Sequence, residues 1–532
     1  MSRLRPDSAK ASLPSRRSAS REGGQGVGAQ GRVAPVCAAA IAVALGAFGV
    51  IKGTWAVGGS DSSCYALMAD AFAQGQLQPT SALALEAPWP NANRTVAPAG
   101  FIPSPVRPDA ASPVCAPGVS LLMAPLVALV GRDAVFWITP VAASALVWLA
   151  FILGRRLAGG MAGCAAAALT ASSPIVLFQA VQPMNDVVCA ALWMAAFVAA
   201  TSDSPRRARW AGLLSGAAIL VRPNLALVAV PMMVACGRRL TMIAEFCLAA
   251  SPALAILLVL NAVLYGHPFA TGYGDPSQFF SLSFARDNLG NYGRAIYDTH
   301  NLFPVLALAA PFAFVGSGRR VSVLALAVAL TVCVMYLFYQ PFPEWWYLRF
   351  LLPAVVLLIT VAAAAAVRVA LNVKMGGVVA IATVVFALAG VRIARDRQAF
   401  DLQRLEGRFR DMGTLVAGRL PGRAVVITVW ESGSVRFHAG REVVLWDSLE
   451  PDWLDRAVSW LGDHGRATYI LVERREENQF RARFRNRSTL GALDWPPRFD
   501  LNRQARVFDT ADRARHLAGA VYATENVRPT AR

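Results

Sequence analysis

Apolar residues recur in long Ala/Val/Leu stretches from about residue 33 to residue 391, whereas the first 32 and the last 140 or so residues are polar and rich in arginine. That contrast predicts a polar tail (1–32), a membrane body (33–391) and a soluble unit (392–532). A spanning helix needs about 20 mostly apolar residues, and 33–57 is long enough to be an uncleaved first span. The run 117–130 is too short, is bounded by Gly131-Arg132-Asp133, and reads as an interfacial helix. Downstream, the spans 134–153, 157–181, 187–200, 241–264, 301–316, 321–339, 349–367 and 375–391 follow. The stretch 211–236 is interrupted by Val221-Arg222-Pro223-Asn224 and reads as two short helices meeting near one face. The sum is about eleven crossings plus one interfacial segment.

Charge orients these spans. If 117–130 does not cross, Arg155-Arg156, Arg206, Arg207, Arg209, Arg238-Arg239, Arg319-Arg320, Arg368 and Lys374 all fall on one side, which the positive-inside rule makes cytoplasmic. The tail 1–32, with seven Lys/Arg and many Ser, Gly and Gln, is then expected to be disordered and cytoplasmic. Its counterpart is a first extracytoplasmic loop at 58–116. The polar, Pro- and Trp-rich segments 182–186, 265–300 and 340–349 share that outer side, as does 392–532.

The chain is 55% hydrophobic and only 16% charged, against roughly 25% in soluble domains. Its net charge of +18 (51 basic less 33 acidic residues) sits in short runs between spans, which is topology and not a nucleic-acid footprint. Six of the eight cysteines lie in apolar stretches. Cys64 and Cys115 flank the outer loop, where a disulfide can persist; two unpaired small residues is the other reading. The C-terminal unit alternates apolar runs (424–429, 443–446, 469–472) with an amphipathic helix at 453–461, which predicts a small α/β domain. It has no phosphate-binding glycine loop and reads as an accessory or acceptor-recognition domain.

Charged residues at the outer boundary carry the candidate chemistry. Asp61 directly follows the first span and precedes an amphipathic helix: it is a general base for lipid-borne substrates, or it caps that helix. Asp186 sits between two spans and reads as a functional charge or as an N-cap. Arg222 suits a carrier phosphate, or an ion pair with Asp186 or Glu245. Arg349 enters the membrane at headgroup level, where it can hold a phosphate or snorkel. Glu344 precedes it, beside Trp345 and Trp346, aromatics expected at any interface. His267 and Tyr273, in another outer loop, are candidates for sugar or phosphate contact. Glu245 and Lys52 would be the residues of an ion pathway.

The motifs resemble a known family. Asp61, the Tyr65 to Leu77 pattern ending Gly75-Gln76-Leu77, Ala116-Pro117-Gly118 through Pro125, Gln182-Pro-Met-Asn-Asp186, Leu220-Val-Arg222-Pro-Asn224, Tyr265-Gly-His267-Pro-Phe-Ala-Thr-Gly-Tyr273-Gly274 and Trp346-Tyr-Leu-Arg349-Phe-Leu-Leu-Pro353 resemble membrane glycosyltransferases of the C-type fold. That group includes the dolichyl-phosphate-mannose protein mannosyltransferases and the lipid A aminoarabinose transferases, and the likeness spans roughly 33–391. It implies an all-α polytopic bundle with a C-terminal soluble α/β domain in a bacterial inner membrane. It also implies transfer of one sugar from a polyprenyl-phosphate carrier to a glycolipid, polysaccharide or protein acceptor at the outer face. On that likeness Asp61 maps to the base, and basic groups near the membrane surface hold the carrier phosphate.

The chain departs from the pattern where relatives have an acidic pair, since Ser62 follows Asp61, and where they have His before Pro-Pro-Gly, since Cys115-Ala116 stands there. No cofactor is expected, and a lone carboxylate without a neighbouring His is a poor divalent site. A flippase for lipid-linked saccharides is the rival from another class, but polar residues should then line both halves of a pathway. A glycan-polymer ligase would carry one large, late outer loop rich in Arg and His, whereas 265–300 has two of each.

Overall fold

A computed structural model describes residues 27–528. The first helix runs Val27–Ile51 and starts six residues before its apolar stretch; most of the expected disordered tail (1–26) lies outside the described residues. Among these, six helices are long and apolar enough to cross a membrane: Val33–Ile51, Arg132–Ala171, Leu240–Tyr265, Gly316–Leu337, Trp345–Asn372 and Gly376–Asp396. Four shorter apolar helices, Gly118–Val130, Asp186–Ala200, Pro223–Cys236 and Phe303–Ala313, fill in between them. The Trp345–Asn372 helix is the axis of the bundle, with 89% of its apolar window buried, whereas Gly376–Asp396 turns Val378, Ile381, Val384, Val385 and Leu388 outward. An outer surface this apolar fits lipid and not water.

Two breaks shape the bundle. The Ile138–Ala171 segment turns back on itself at Ala158 and Gly159 (φ +83°), so that residues 138–157 and 160–171 form antiparallel limbs; an added Cβ on Gly154 would meet the Ala162 carbonyl oxygen at 2.7 Å. The helix Arg207–Val221 stops at Arg222 (φ −142°, ψ 86°), because a residue before proline avoids the helical region and Pro223 offers no N–H. Close packing of Arg207–Val221 on Leu240–Tyr265 depends on Gly212 and Gly216, four residues apart, whose absent Cβ atoms leave room for the backbones of Phe246 and Ala250. Because successive helices alternate in direction, Asp61, Asp186, Arg222 and Arg349 gather at one end of the bundle. The runs at 155–156, 206–209, 238–239 and 319–320 gather at the other.

The site end is roofed. Segment 58–116 carries the helix Gly59–Ala73 and a hairpin of β1 (Phe101–Pro103) and β2 (Ala111–Pro113), and it is closed by a Cys64–Cys115 disulfide. The helix expected to lie along the surface is instead buried from Ser62 to Ala71, since it is sandwiched between bundle and soluble domain. That domain holds β3 (Val425–Ile427), β4 (Glu442–Val444), β5 (Thr468–Glu473), β6 (Phe499–Leu501), β7 (Ala505–Asp509) and β8 (Glu525–Val527). They form one mixed sheet, ordered β4-β3-β5-β7-β6-β8. Strand alternation sends Ile470 and Val472 to one face and Tyr469 and Leu471 to the other. The second face is covered by the helix Leu402–Arg419. The first packs on Leu454–Asp463 and Arg474–Phe484 together with Leu83, Trp89 and Val96 of the outer loop. Loop and soluble domain therefore share a core. Phe437 joins the soluble domain to the bundle core against Phe136, and Arg132 pairs with Asp70 while donating to the Phe437 carbonyl at 2.8 Å.

Candidate active site

Asp61 lies in the first turn of Gly59–Ala73 but caps nothing: the Gly58 N–H goes to the Ser62 hydroxyl at 3.1 Å, and no side chain caps the helix in the ordinary N-cap manner. The Asp61 carboxylate instead meets Arg349, Oδ2 to Nη2, at 2.8 Å. Asp186 likewise begins its helix without capping it and takes Arg222 at 3.0 Å, with Arg349 at 4.0 Å on its other oxygen. Four residues from four segments thus alternate in sign, Asp61–Arg349–Asp186–Arg222. Side-chain exposure falls from 41% at Asp61 through 14% at Arg349 to nil at Asp186. Glu245 is elsewhere, paired with Arg209 at the basic end, and Lys52 is exposed at a helix end.

Aromatic rings make this arrangement tolerable in an apolar setting, since each guanidinium lies over a negative π face. Phe350 lies 5.2 Å from both guanidiniums, Tyr347 lies 5.3 Å from Arg349, and the Tyr336 hydroxyl accepts from Arg222 at 3.0 Å and from Asn224 at 2.9 Å. The 3-10 turn Trp345–Leu351 places Arg349 and Phe350 together at the mouth of the axial helix. Tyr273 is half exposed, and Asp61's charge bears on its hydroxyl. His267 is exposed and accepts from the Phe269 N–H at 3.2 Å, and Glu344 is exposed ahead of the 3-10 turn; neither joins the charge chain.

Asp61 and Arg349 open onto a cavity of about 270 Å³, lined also by Gly59, Ser60, Gln182 and, from the soluble domain, Glu406 and Trp430. Sequence reasoning missed those last two, and Tyr336, whose position in a span hid it among interfacial aromatics. Burial raises the Glu406 carboxyl above the ordinary range, with Arg408 opposing. On the domain's inner side, half-buried His438 accepts the Val57 N–H at 3.2 Å, and its imidazole is pushed down to about 3 by desolvation and by Arg410 and Arg132. The side chain that meets Asp61 is a guanidinium, and among the described residues no cluster of three or more His, Cys, Asp or Glu has metal-holding geometry. These residues do not fit a divalent ion.

No protein-family model matches the sequence, and no curated protein matches it. Among solved structures, ArnT from Cupriavidus metallidurans bound to undecaprenyl phosphate is similar at a TM-score of 0.56 and 12% identity, over 84% of this chain and 94% of that one. The apo state of the same protein matches at a TM-score of 0.55 and 13% identity, over 83% and 93%. The chain has the C-type fold of membrane glycosyltransferases, polytopic and helical with a C-terminal soluble α/β domain.

Proposed function

We propose that the protein is a glycosyltransferase that moves a single sugar from a polyprenyl-phosphate carrier to an acceptor at the extracytoplasmic face of a bacterial inner membrane, with Asp61 as general base. The observation that carries this reading is the Asp61–Arg349 pair at the mouth of a cavity at the loop end of the bundle. A lipid phosphate leaving group is already activated and needs charge stabilisation more than a protonating acid. Arg349, at the start of the axial helix, supplies a planar cation for it. Asp61 takes the acceptor's proton, the acceptor oxygen or nitrogen bonds to the anomeric carbon, and the carbon–oxygen bond to phosphate breaks, leaving polyprenyl phosphate against Arg349. Asp186 and Arg222 lie behind this and hold Arg349 in place.

Three further observations support the reading. The basic runs lie at the end opposite the site, as the positive-inside rule requires of an outward-facing site. The Cys64–Cys115 bond fits an oxidising compartment. At about 270 Å³ the cavity lies below the usual range of ligand pockets, which suits one sugar better than a whole glycan. A C-type fold shared with a protein solved with undecaprenyl phosphate supports the donor class.

Purified protein and Asp61→Asn, incubated with radiolabelled polyprenyl-phosphate sugars and membrane extract, test it. Label should leave the carrier for an acceptor with wild type and stay on it with Asp61→Asn. Movement of intact carrier across reconstituted vesicles, without transfer, would instead establish a transporter.

A further inference from the structure

The soluble domain contributes two side chains, Trp430 and Glu406, to the Asp61 cavity. Trp430 is 43% exposed although it lies only three residues past the end of buried β3. Arg475 lies over its ring at 4.0 Å, held in turn by Glu473 at 2.6 Å. The main chain that carries the indole is held as well: the backbone N–H of Trp430 donates to Glu476 at 3.3 Å, and Glu476 accepts the Glu473 N–H at 3.0 Å in a capping box. A large aromatic that is 43% exposed and lines a cavity leaves apolar surface wet unless something covers it. Glu406 lines the same space with a one-third exposed side chain, and Arg408, 3.9 Å away, steadies it.

An exposed indole and a carboxylate lining one cavity match a pyranose. The C–H bonds on one side of a sugar ring carry partial positive charge and meet the negative face of the indole, while ring hydroxyls donate to the carboxylate. A peptide acceptor would want backbone donors and acceptors along the wall, and a lipid tail would want no carboxylate. The subsite's place follows from the reaction: the attacking group approaches the anomeric carbon from the side opposite the leaving phosphate. Arg349 belongs to the bundle, Trp430 and Glu406 belong to the roof, and Asp61 stands on the helix between them.

Resting on the function proposed above, we propose that Trp430 and Glu406 form a subsite for a saccharide acceptor, which stacks on the indole, donates hydroxyls to Glu406 and presents its nucleophilic hydroxyl to Asp61. The acceptor is accordingly a glycan hydroxyl, free or lipid-borne, and the soluble domain sets acceptor choice.

Transfer from a radiolabelled polyprenyl-phosphate sugar to a panel of methyl hexopyranosides, with full-length protein in detergent, separates the two readings. Trp430→Ala and Glu406→Gln should each raise the acceptor KM at least tenfold while the donor KM stays within twofold, and Trp430→Phe should recover most of the Trp430→Ala loss. Thermal unfolding of the three variants checks that each is folded. If Trp430→Ala raises the donor KM instead, the platform holds the donor sugar and the inference falls. Unchanged KM values in folded variants, or transfer to a peptide hydroxyl indifferent to Trp430, also overturn it, with the parent reading intact. Wild type that moves no label to any acceptor, or Asp61→Asn that moves it normally, overturns the parent reading.

Discussion

Asp61 and Asp186 occupy opposite ends of one chain of charges, and amide replacement separates what each does. Asp186 is fully buried, with Arg222 at 3.0 Å and Arg349 at 4.0 Å. Asp186→Asn preserves shape but leaves two buried guanidiniums near one another, with Asp61 on the open side as their remaining counter-charge. Removing one partner of a buried pair costs about 3–5 kcal/mol, because the other charge stays desolvated. Asp61 is 41% exposed, and its pair with Arg349 is worth at most about 1 kcal/mol after solvent screening. Its loss also leaves Arg349 near Asp186.

Thermal unfolding in detergent, followed by tryptophan fluorescence, should show Asp186→Asn lowering the midpoint by several degrees and at least three times as far as Asp61→Asn. Asp61→Asn should nevertheless abolish transfer. A third variant completes the argument: Asp186→Asn with Arg222→Met removes both buried charges, and stability should largely return, since a buried pair replaced as a pair is close to neutral. Asn224 still satisfies the Tyr336 hydroxyl in that variant. Equal destabilisation by the two single amides, or a double variant no better than Asp186→Asn, would refute the assignment of Asp186 as structural and Asp61 as chemical.

Other outcomes follow from the packing. Cys64→Ser with Cys115→Ser opens a loop of 51 residues, which at the chain-entropy estimate costs about 4 kcal/mol; a lowered midpoint that reductant reproduces in wild type checks it. Gly212→Val forces a side chain onto the Phe246 backbone and should lower folded yield in detergent, whereas Gly290→Ala, which meets open space, should not. Burial raises the Glu476 carboxyl to about 7 from 4.5, so its contribution to stability is full below pH 4.5 and is lost as pH rises to 7, by roughly 3 kcal/mol. Glu476→Gln should flatten the pH dependence of unfolding between 5 and 7. Wild-type His438 runs the other way, its contribution complete above 6.5 and lost on acidification toward 3, so the comparison is variant against wild type at each pH.

What the sequence disclosed was whatever depends on local composition. The break at Val221-Arg222-Pro223-Asn224 and the strands near 425, 443 and 469 were legible because proline chemistry and β-branched runs act within a few residues. So was the choice of Asp61, Asp186, Arg222 and Arg349 as candidates, since a charge at a span boundary is conspicuous on its own. The Arg222–Asp186 pair was among the pairings the sequence offered, but the alternation of all four in one chain was not legible, because it joins positions up to 288 apart through helix packing. The same reason hid the roof. Trp89 and Phe480 have nothing in common along the chain, yet they share a core, so the outer loop and soluble domain form one cap where the hydropathy pattern shows two separate polar segments.

On the proposed function, the charge chain implies an order of events. Arg349 holds Asp61 at 2.8 Å, so the proposed base is tied to a cation, while the buried Nε of Arg349 has no hydrogen-bond partner among the described residues. A phosphate is a bidentate acceptor for one edge of a guanidinium, and it can satisfy Nε together with Nη2. Seating the carrier phosphate there draws Nη2 from Asp61 and frees the carboxylate to accept a proton. Acceptor binding is therefore productive only after the donor is in place. In steady-state kinetics polyprenyl phosphate should compete with the donor but not with the acceptor, and Arg349→Lys, which keeps the charge and loses the fork, should raise the donor KM and lower kcat together. Competition of polyprenyl phosphate with the acceptor, or Arg349→Lys with unaltered kcat, would show that Asp61 is free without the donor and that the pair does not gate the base.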